Sequence, residues 1–193
     1  MDALTFSSST VPSAGVPWGN PVVWQTVNRE LNRFWLSCPA AANRLLPLAE
    51  DISRQIVRID PLLNRLCAHT CRWCPDPCCL AATIWLDLAD LLRLQLAGPA
   101  VPLAQPKIVR GETCRWLGRR GCRLPRTCRP WTCTRYICPT QKRWWPRQSP
   151  EEAGRFEEIA ARTQNLRRQL RAEFRLLAAG RIDPRVWPER ATG

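Results

Sequence analysis

The sequence predicts a mainly α-helical fold: a small helical domain around an irregular, metal-stabilised cysteine-rich module with few or no short strands. Three observations lead to this prediction. Apolar residues recur every three or four positions in segments near both ends of the chain, as in amphipathic helices. Ten of the eleven cysteines lie between Cys67 and Cys138. Many of the 18 prolines surround those cysteines, where they disfavour long regular elements.

The first predicted helix follows a segment rich in Ser, Pro and Gly. That segment, residues 1–19, is predicted to be a flexible lead-in. Asn20 followed by Pro21 is a typical helix start, because Asn caps free N–H groups and Pro lacks one. Large apolar residues then follow at helical spacing, so a helix is predicted over residues 21–36.

Two further helices are predicted before the cysteines, over residues 47–59 and 61–68. Asp60–Pro61 is expected to separate them, because proline interrupts the hydrogen bonds of a helix. With the first helix they make up an N-terminal helical part, residues 20–66.

Two acidic residues begin the next predicted helix. Asp87 and Asp90 have the spacing of a capping box, which predicts a helix over residues 88–97 that ends at Gly98–Pro99. Residues 99–148 lack a periodic apolar pattern. They are predicted to be loops with at most short strands, held by metal ligation rather than by an apolar core.

The last predicted helix covers residues 149–180. Ser149–Pro150 begins it, a regular apolar stripe runs along it, and Gly180 ends it before a tail of residues 181–193. The stripe is expected to pack back on the domain. The alternative is a coiled-coil surface for a protein partner.

The cysteines of the 67–148 module are arranged as metal ligands. A C-x2-C turn lets two thiolates face one ion, and a second cysteine block follows downstream. The neighbours Cys78 and Cys79 point apart in an extended chain, so the pair indicates either two metals close together or one ligand beside a non-ligating or redox thiol. Eight cysteines could supply two tetrahedral sites or one bridged binuclear site. The predicted ligands are Cys71, Cys74, Cys78, Cys79, Cys114, Cys122, Cys133 and Cys138. Cys67, Cys128, Cys38 and His69 are weighed as further ligands and left outside the set.

The order of these motifs resembles the YkgJ-like cysteine-cluster family. The resemblance covers roughly residues 67–140 and rests on CRWCPDPCC, IWLDLADLLRL and CRWLGRRGCRLPRTCRPWTC in that order. It departs from the commoner pattern in two places: three residues rather than two precede Cys78, and Cys128 is an extra cysteine. The resemblance implies a zinc- or iron-chelating domain and names no reaction.

Charge supplies an alternative function. The formal net charge is +13, and residues 107–147 hold twelve basic residues and one acid, interleaved with tryptophans. This composition is typical of proteins that bind single-stranded RNA or DNA by stacking and phosphate contacts. The structural alternative is that the tryptophans pack over the metal loops, with Arg side chains across their rings.

The remaining patterns exclude several classes. No apolar run is long enough to span a membrane, and no secretory signal is recognised, so a cytoplasmic location with reduced thiols is expected. Nucleotide-binding and hydrolase motifs are absent, and no catalytic or organic-cofactor residues are predicted. The sequence therefore predicts a metal-binding protein that takes zinc or iron. The alternatives are a zinc-stabilised nucleic-acid-binding module and an iron–sulfur redox or methyl-transfer accessory protein.

Overall fold

The computed structural model describes residues 18–71, 74, 79, 82–98, 100–106, 112–118 and 121–182. The helices are α1 (Pro21–Ser37), α2 (Pro39–Thr70), α3 (Leu88–Ala97), α4 (Trp131–Arg135), α5 (Pro139–Gln148) and α6 (Pro150–Ala178). Two short strands, β1 (Leu117–Gly118) and β2 (Gly121–Cys122), pair antiparallel, and Arg126–Cys128 forms a 3₁₀ turn. The prediction of a mainly α-helical fold with few short strands is confirmed.

Helix α1 begins as predicted. The side chain of Asn20 accepts a hydrogen bond from the backbone N–H of Val22 at 2.8 Å. The apolar stripe that predicted the helix is buried along most of its length. Trp18, which was assigned to the flexible lead-in, is buried as well, and its ring lies 6.1 Å from that of Trp24.

Helix α2 is longer than predicted, and the expected break at Asp60–Pro61 is wrong. One helix runs from Pro39 to Thr70 with Pro47 and Pro61 inside it. An internal proline costs a helix about 3 kcal/mol. Buried apolar residues continue past Pro61, however, and each stabilises the fold by about 1.5–3 kcal/mol. Burial on both sides of the proline therefore outweighs the lost hydrogen bond.

The core lies where α2 packs against α6 and α3, with α1 on the side of α2 and α5 on α6. Leu45, Ile52 and Ile56 of α2 are fully buried. On α6, Leu170 is fully buried and Phe174 is 1% exposed. The apolar stripe of α6 therefore packs on its own domain, as expected, and little of it is left for a coiled-coil partner.

Helix α3 has the predicted capping box. Asp87 accepts from the backbone N–H of Asp90 at 2.9 Å, and Asp90 accepts from that of Asp87 at 3.3 Å. Gly98 ends α3, and the chain there lies close against the last turn of the helix. A Cβ added at Gly98 would lie 2.6 Å from the Cα of Leu94, so only glycine fits.

The region predicted to be loops, residues 99–148, is partly helical, so that prediction is wrong for α4 and α5. Pro130 precedes α4, and Pro139 is the first residue of α5, the position at which proline favours a helix. Trp131 and Trp145 anchor the two helices in the core, at 4% and 3% exposure. Neither helix is long enough to show a periodic pattern in sequence.

Candidate metal centre

The predicted ligands that the structure describes come from several elements: Cys71 follows α2, Cys122 is in β2 and Cys133 is in α4. None of the ten described cysteines forms a disulfide. Cys71 and Cys74 are exposed, Cys114 is buried, and Cys79, Cys122, Cys133 and Cys138 are partly buried. Cys78 lies outside the described residues.

The first cluster, here called the Gln141 cluster, comprises Cys67, Cys71 and Cys138. Cys67 and Cys71 are one turn apart at the end of α2, so their side chains share a face. The amide nitrogen of Gln141 donates to the sulfur of Cys71 at 3.4 Å and lies 4.0 Å from that of Cys67. The backbone N–H of Gln141 donates to the sulfur of Cys138, which caps α5, at 3.4 Å.

The thiols of Cys67 and Cys71 have opposite pKa shifts. The hydrogen bond from Cys67 lowers the pKa of Cys71 to about 6, and hydrogen bonds from Thr70 and Gln141 act in the same direction. The pKa of Cys67 is raised above its ordinary value by the same hydrogen bond and by burial. Cys71 is thus a thiolate at neutral pH, the form that binds metal.

The second cluster, here called the hairpin cluster, comprises Cys114, Cys122 and Cys133. These residues come from the loop before β1, from β2 and from α4. Burial, together with negative charge on Cys122, Cys114 and Asp90, raises the pKa of Cys133 to about 12. Neighbouring thiols whose negative charges repel each other stay protonated until a cation binds and displaces the protons.

Arg129 fixes the backbone around the hairpin cluster. Its guanidinium donates to the carbonyl oxygens of Leu124 at 2.9 Å and of Cys122 at 3.5 Å. Its charge also lowers the pKa of Cys133, against the larger effect of burial. Across the described residues, no three His, Cys, Asp or Glu side chains are close enough together to hold a metal ion. The sulfurs of each cluster would have to move closer to ligate one.

A buried charged network lies beside the hairpin cluster. Arg167 donates to Asp90 at 2.5 Å and to both oxygens of Asp87 at 2.7 Å. Asp90 also accepts from the backbone N–H of Trp131, at 3.2 and 3.1 Å. The network therefore joins α3 and α6 to the first residue of α4, two residues before Cys133.

Burial and pairing set the pKa values in this network. Burial raises the pKa of Asp90, which outweighs the opposing charge of Arg167. For Asp87, burial acts upward too, but Arg167 and the hydrogen bonds lower its pKa overall. The two carboxylates raise the pKa of Arg167 against burial. Arg167 therefore stays charged.

A second arginine links the cysteines to α2. The buried guanidinium of Arg126, on the 3₁₀ turn, donates to Asp60 at 2.6 Å and to Asn64 at 2.8 Å. Its charge also lowers the pKa of Cys67 against the larger effects of hydrogen bonding and burial. Arg126 thus connects the 3₁₀ turn, which follows Cys122 in the chain, to α2, which carries Cys67 of the Gln141 cluster.

Two buried donors in this region lack acceptors. Arg93 on α3 is fully buried, and none of its three guanidinium nitrogens has a hydrogen-bond partner in the described structure. The indole nitrogen of Trp116, two residues after Cys114, is also buried without a partner there. Buried polar groups in folded proteins are nearly always paired, so each of these donors indicates an acceptor that the described residues do not supply.

The tryptophans favour the structural alternative over base stacking. Trp131 is buried, donates to Gln164 at 2.7 Å and carries the Arg167 guanidinium 5.5 Å above its ring centre. Trp145 packs on Phe156, and Trp144 lies 5.8 Å from the ring of His69. Trp131 and Trp145 are therefore not open to a base.

Sequence reasoning underrated four residues of this region. Cys67 was left out of the ligand set, although its spacing from Cys71 places both on one helix face once α2 extends to Thr70. Gln141 follows Cys138 at capping-box spacing, a signal that was present in the sequence. Arg93 interrupts an apolar run of α3, and Arg167 lies on the buried face of α6 between Thr163 and Leu170; each position indicates a buried charge.

No protein-family model, no curated protein and no solved structure matches this chain. The YkgJ-like resemblance therefore stays a hypothesis. None of the described helices is both long enough and apolar enough to cross a membrane.

Proposed function

We propose that this chain is a metal-binding protein that chelates zinc or iron through its clustered cysteines. One observation supports the proposal above others: three separate elements bring Cys114, Cys122 and Cys133 close enough for their charges to influence each other. Thiolate donors suit zinc and iron, singly or as an iron–sulfur cluster.

The chemistry of the hairpin cluster fits a cation. Deprotonating Cys133 costs free energy because burial disfavours the thiolate and because thiolates at Cys122 and Cys114 repel it; its pKa of about 12 reflects both effects. A divalent ion removes that repulsion and releases the protons. The basic residues around the cysteines stabilise the negative charge that remains on a metal with several thiolates.

The Gln141 cluster supports a second set of ligands. Its Cys71 is already a thiolate at neutral pH and lies at the start of the C-x2-C turn with Cys74. Cys78 and Cys79 follow in sequence, and Gln141 donates hydrogen bonds to the sulfurs of both Cys138 and Cys71. In the proposal, Cys67 joins the original eight cysteines as a ligand or as a hydrogen-bond donor to one.

The test is anaerobic purification without chelators, followed by elemental analysis and a visible absorption spectrum. We expect at least one zinc or iron per chain. A brown protein with visible absorption would identify the iron–sulfur form. Only substoichiometric traces of both metals would reject the proposed function.

A matched pair of variants tests the ligands. Cys133→Ser should lower the metal content. Cys38→Ser should leave it at the wild-type value, because Cys38 lies at the α1–α2 junction, where its sulfur accepts from Arg181 at 3.0 Å. Equal metal content in both variants would remove Cys133 from the ligand set.

A further inference from the structure

The two cysteines at the end of α2 are neighbours in space as well as in sequence. Cys67 and Cys71 lie one helical turn apart, and their side chains are hydrogen-bonded to each other. The amide nitrogen of Gln141 lies 3.4 Å from the sulfur of Cys71 and 4.0 Å from that of Cys67. Both sulfurs therefore surround one nitrogen atom. Two thiols in contact with each other are the starting arrangement for a disulfide.

Gln141 presents a fixed donor to these sulfurs. Its side chain is buried, and its amide oxygen accepts from the backbone N–H of Cys138 at 3.1 Å. Because the oxygen is engaged at the start of α5, the amide nitrogen faces α2, where it also donates to the hydroxyl of Thr70 at 2.8 Å. A donor held in this way stabilises negative charge on the sulfur of Cys71, the form of a thiol that attacks disulfides.

Exposure sets the order in which the two thiols react. Cys71 is exposed and Cys67 is partly buried, so a reagent from solvent meets Cys71 first. Cys67 is then placed to attack the product. Side chains one helical turn apart have their Cβ atoms about 1–2 Å too far apart for a disulfide. Cys71 is the residue that caps the end of α2, and a helix end can tighten or fray more readily than a helix interior.

We propose that Cys67 and Cys71 form a redox-active dithiol that reduces small-molecule disulfides. The thiolate of Cys71 attacks one sulfur of the incoming disulfide, whose S–S bond breaks and releases one thiolate. That thiolate takes the proton of Cys67. The sulfur of Cys67 then attacks the sulfur of Cys71, and the second small thiolate leaves and is protonated by solvent.

The overall reaction oxidises two protein thiols to one disulfide and reduces one small-molecule disulfide to two thiols. Neither step uses a metal ion. The inference therefore goes beyond the proposed function and does not depend on it.

The test uses the full chain, reduced, freed of metal with a chelator, and treated with glutathione disulfide until the reaction ends. Remaining thiols are blocked with N-ethylmaleimide, and the tryptic peptides are identified by mass spectrometry. Both cysteines fall within one tryptic peptide, residues 66–72. We expect this peptide to lack two hydrogen atoms and to carry neither glutathione nor maleimide, because the second step is intramolecular and fast.

Two controls show whether the second thiol matters. Cys67→Ala removes the attacking thiol, so Cys71 should retain at least about tenfold more glutathione than in the wild type. Cys38 is a control within the same sample. Its sulfur accepts from Arg181, so its peptide, residues 34–44, should keep the glutathione that it takes up.

Three outcomes would overturn the inference. The first is glutathione retained on Cys71 equally in the wild type and in Cys67→Ala. The second is a disulfide that joins peptide 66–72 to peptide 73–93, which holds Cys74, Cys78 and Cys79. The third is a peptide 66–72 whose thiols stay reduced. Because the protein is free of metal, these outcomes are separate from the metal content that tests the proposed function.

Discussion

The helical scaffold and the cysteine-rich segment are held together by different forces. In the scaffold, α1, α2, α3 and α6 pack against each other through buried apolar side chains. In the segment of residues 112–148, the buried apolar residues include Trp131, Ile137 and Trp145. Side-chain hydrogen bonds, here called polar ties, also join this segment to α2: Arg126 donates to Asp60 and Asn64, and Gln141 donates to Thr70.

The difference shows where each region draws its stability. Apolar burial depends little on any one contact, so the scaffold can tolerate prolines inside α2. Polar ties hold the segment in place but add little net free energy, about 0.5–1.5 kcal/mol for a typical hydrogen bond. The segment therefore has the most to gain from a bound metal, and perturbations of the two regions should have separable effects.

The largest expected effect is the loss of the metal. If the proposed function is right, chelation or Cys122→Ser should expose residues 112–148 to limited proteolysis while α1, α2 and α6 stay protected, because the proposed ligands hold the segment and not the scaffold. Mass spectrometry of the fragments measures this. An unchanged cleavage pattern in metal-depleted protein would show that the segment folds without metal.

The charged network that joins the two regions comes next. Asp90→Asn should lower the free energy of unfolding by about 3–5 kcal/mol, because it breaks a buried pair and leaves Arg167 less compensated. Chemical denaturation measures the loss. The exposed pair of Asp51 and Arg54 provides the control, since Asp51→Asn should cost less than about 1 kcal/mol. Similar losses of unfolding free energy in both variants would mean that the buried network stabilises the fold no more than an exposed ion pair does.

A change within the scaffold should leave the metal untouched. Ile52→Ala should cost about 2–5 kcal/mol of global stability, because it opens a cavity between α2 and its neighbours. Metal bound per folded chain should stay at the wild-type value. Val57→Ala is the matched control on the same helix: Val57 is 56% exposed, so its truncation should change stability by less than about 0.5 kcal/mol.

Thiol reactivity should separate the two cysteine clusters in metal-free protein. At pH 7 Cys71, with its pKa near 6, is mostly thiolate, whereas Cys133, with its pKa near 12, is protonated. Iodoacetamide should therefore modify Cys71 well before Cys133, and the rate at Cys71 should fall as the pH drops below about 6. Peptide mass spectrometry follows both sites.

The hydrogen bond from Cys67 accounts for most of that reactivity. Cys67→Ala should raise the pKa of Cys71 and slow its modification at pH 7 by about tenfold. An unchanged rate of modification in this variant would mean that Cys67 does not lower the pKa of Cys71.

The smallest expected effect is on nucleic-acid binding. Exposed basic residues of the segment, among them Arg123 and Arg143, should give weak oligonucleotide binding that falls steeply as salt rises. Trp144→Ala should leave it unchanged, because the partly buried ring of Trp144 packs against the core beside His69. Sub-micromolar binding at physiological salt that disappears in Trp144→Ala would make the basic segment the functional surface.

The sequence predicted the scaffold better than the segment, for a physical reason. Local signals define helix ends: Asn20 with Pro21, the Asp87–Asp90 box and Ser149–Pro150 each predicted a start that the structure has. The break expected at Pro61 was wrong because burial by distant helices overrides a local cost. No single-sequence pattern reports that burial.

The site was predictable in composition but not in arrangement. Cysteine spacing predicted which residues are candidates, yet the division into two clusters depends on how α2, β2 and α4 meet in space. Cys138 illustrates this, since it follows Cys133 closely in sequence but lies with Cys67 and Cys71 around Gln141. Spacing along an irregular chain does not determine distance across it.

The pairing of α2 with α6 also sets an order of events during synthesis. Arg167 follows Cys138 by about thirty residues, which a ribosome adds in roughly 1.5–6 s. Every cysteine is therefore made before the helix that completes the charged network. During that interval the thiols can meet an ion or an oxidant before α6 has packed on α2 and before Arg167 has paired with Asp87 and Asp90.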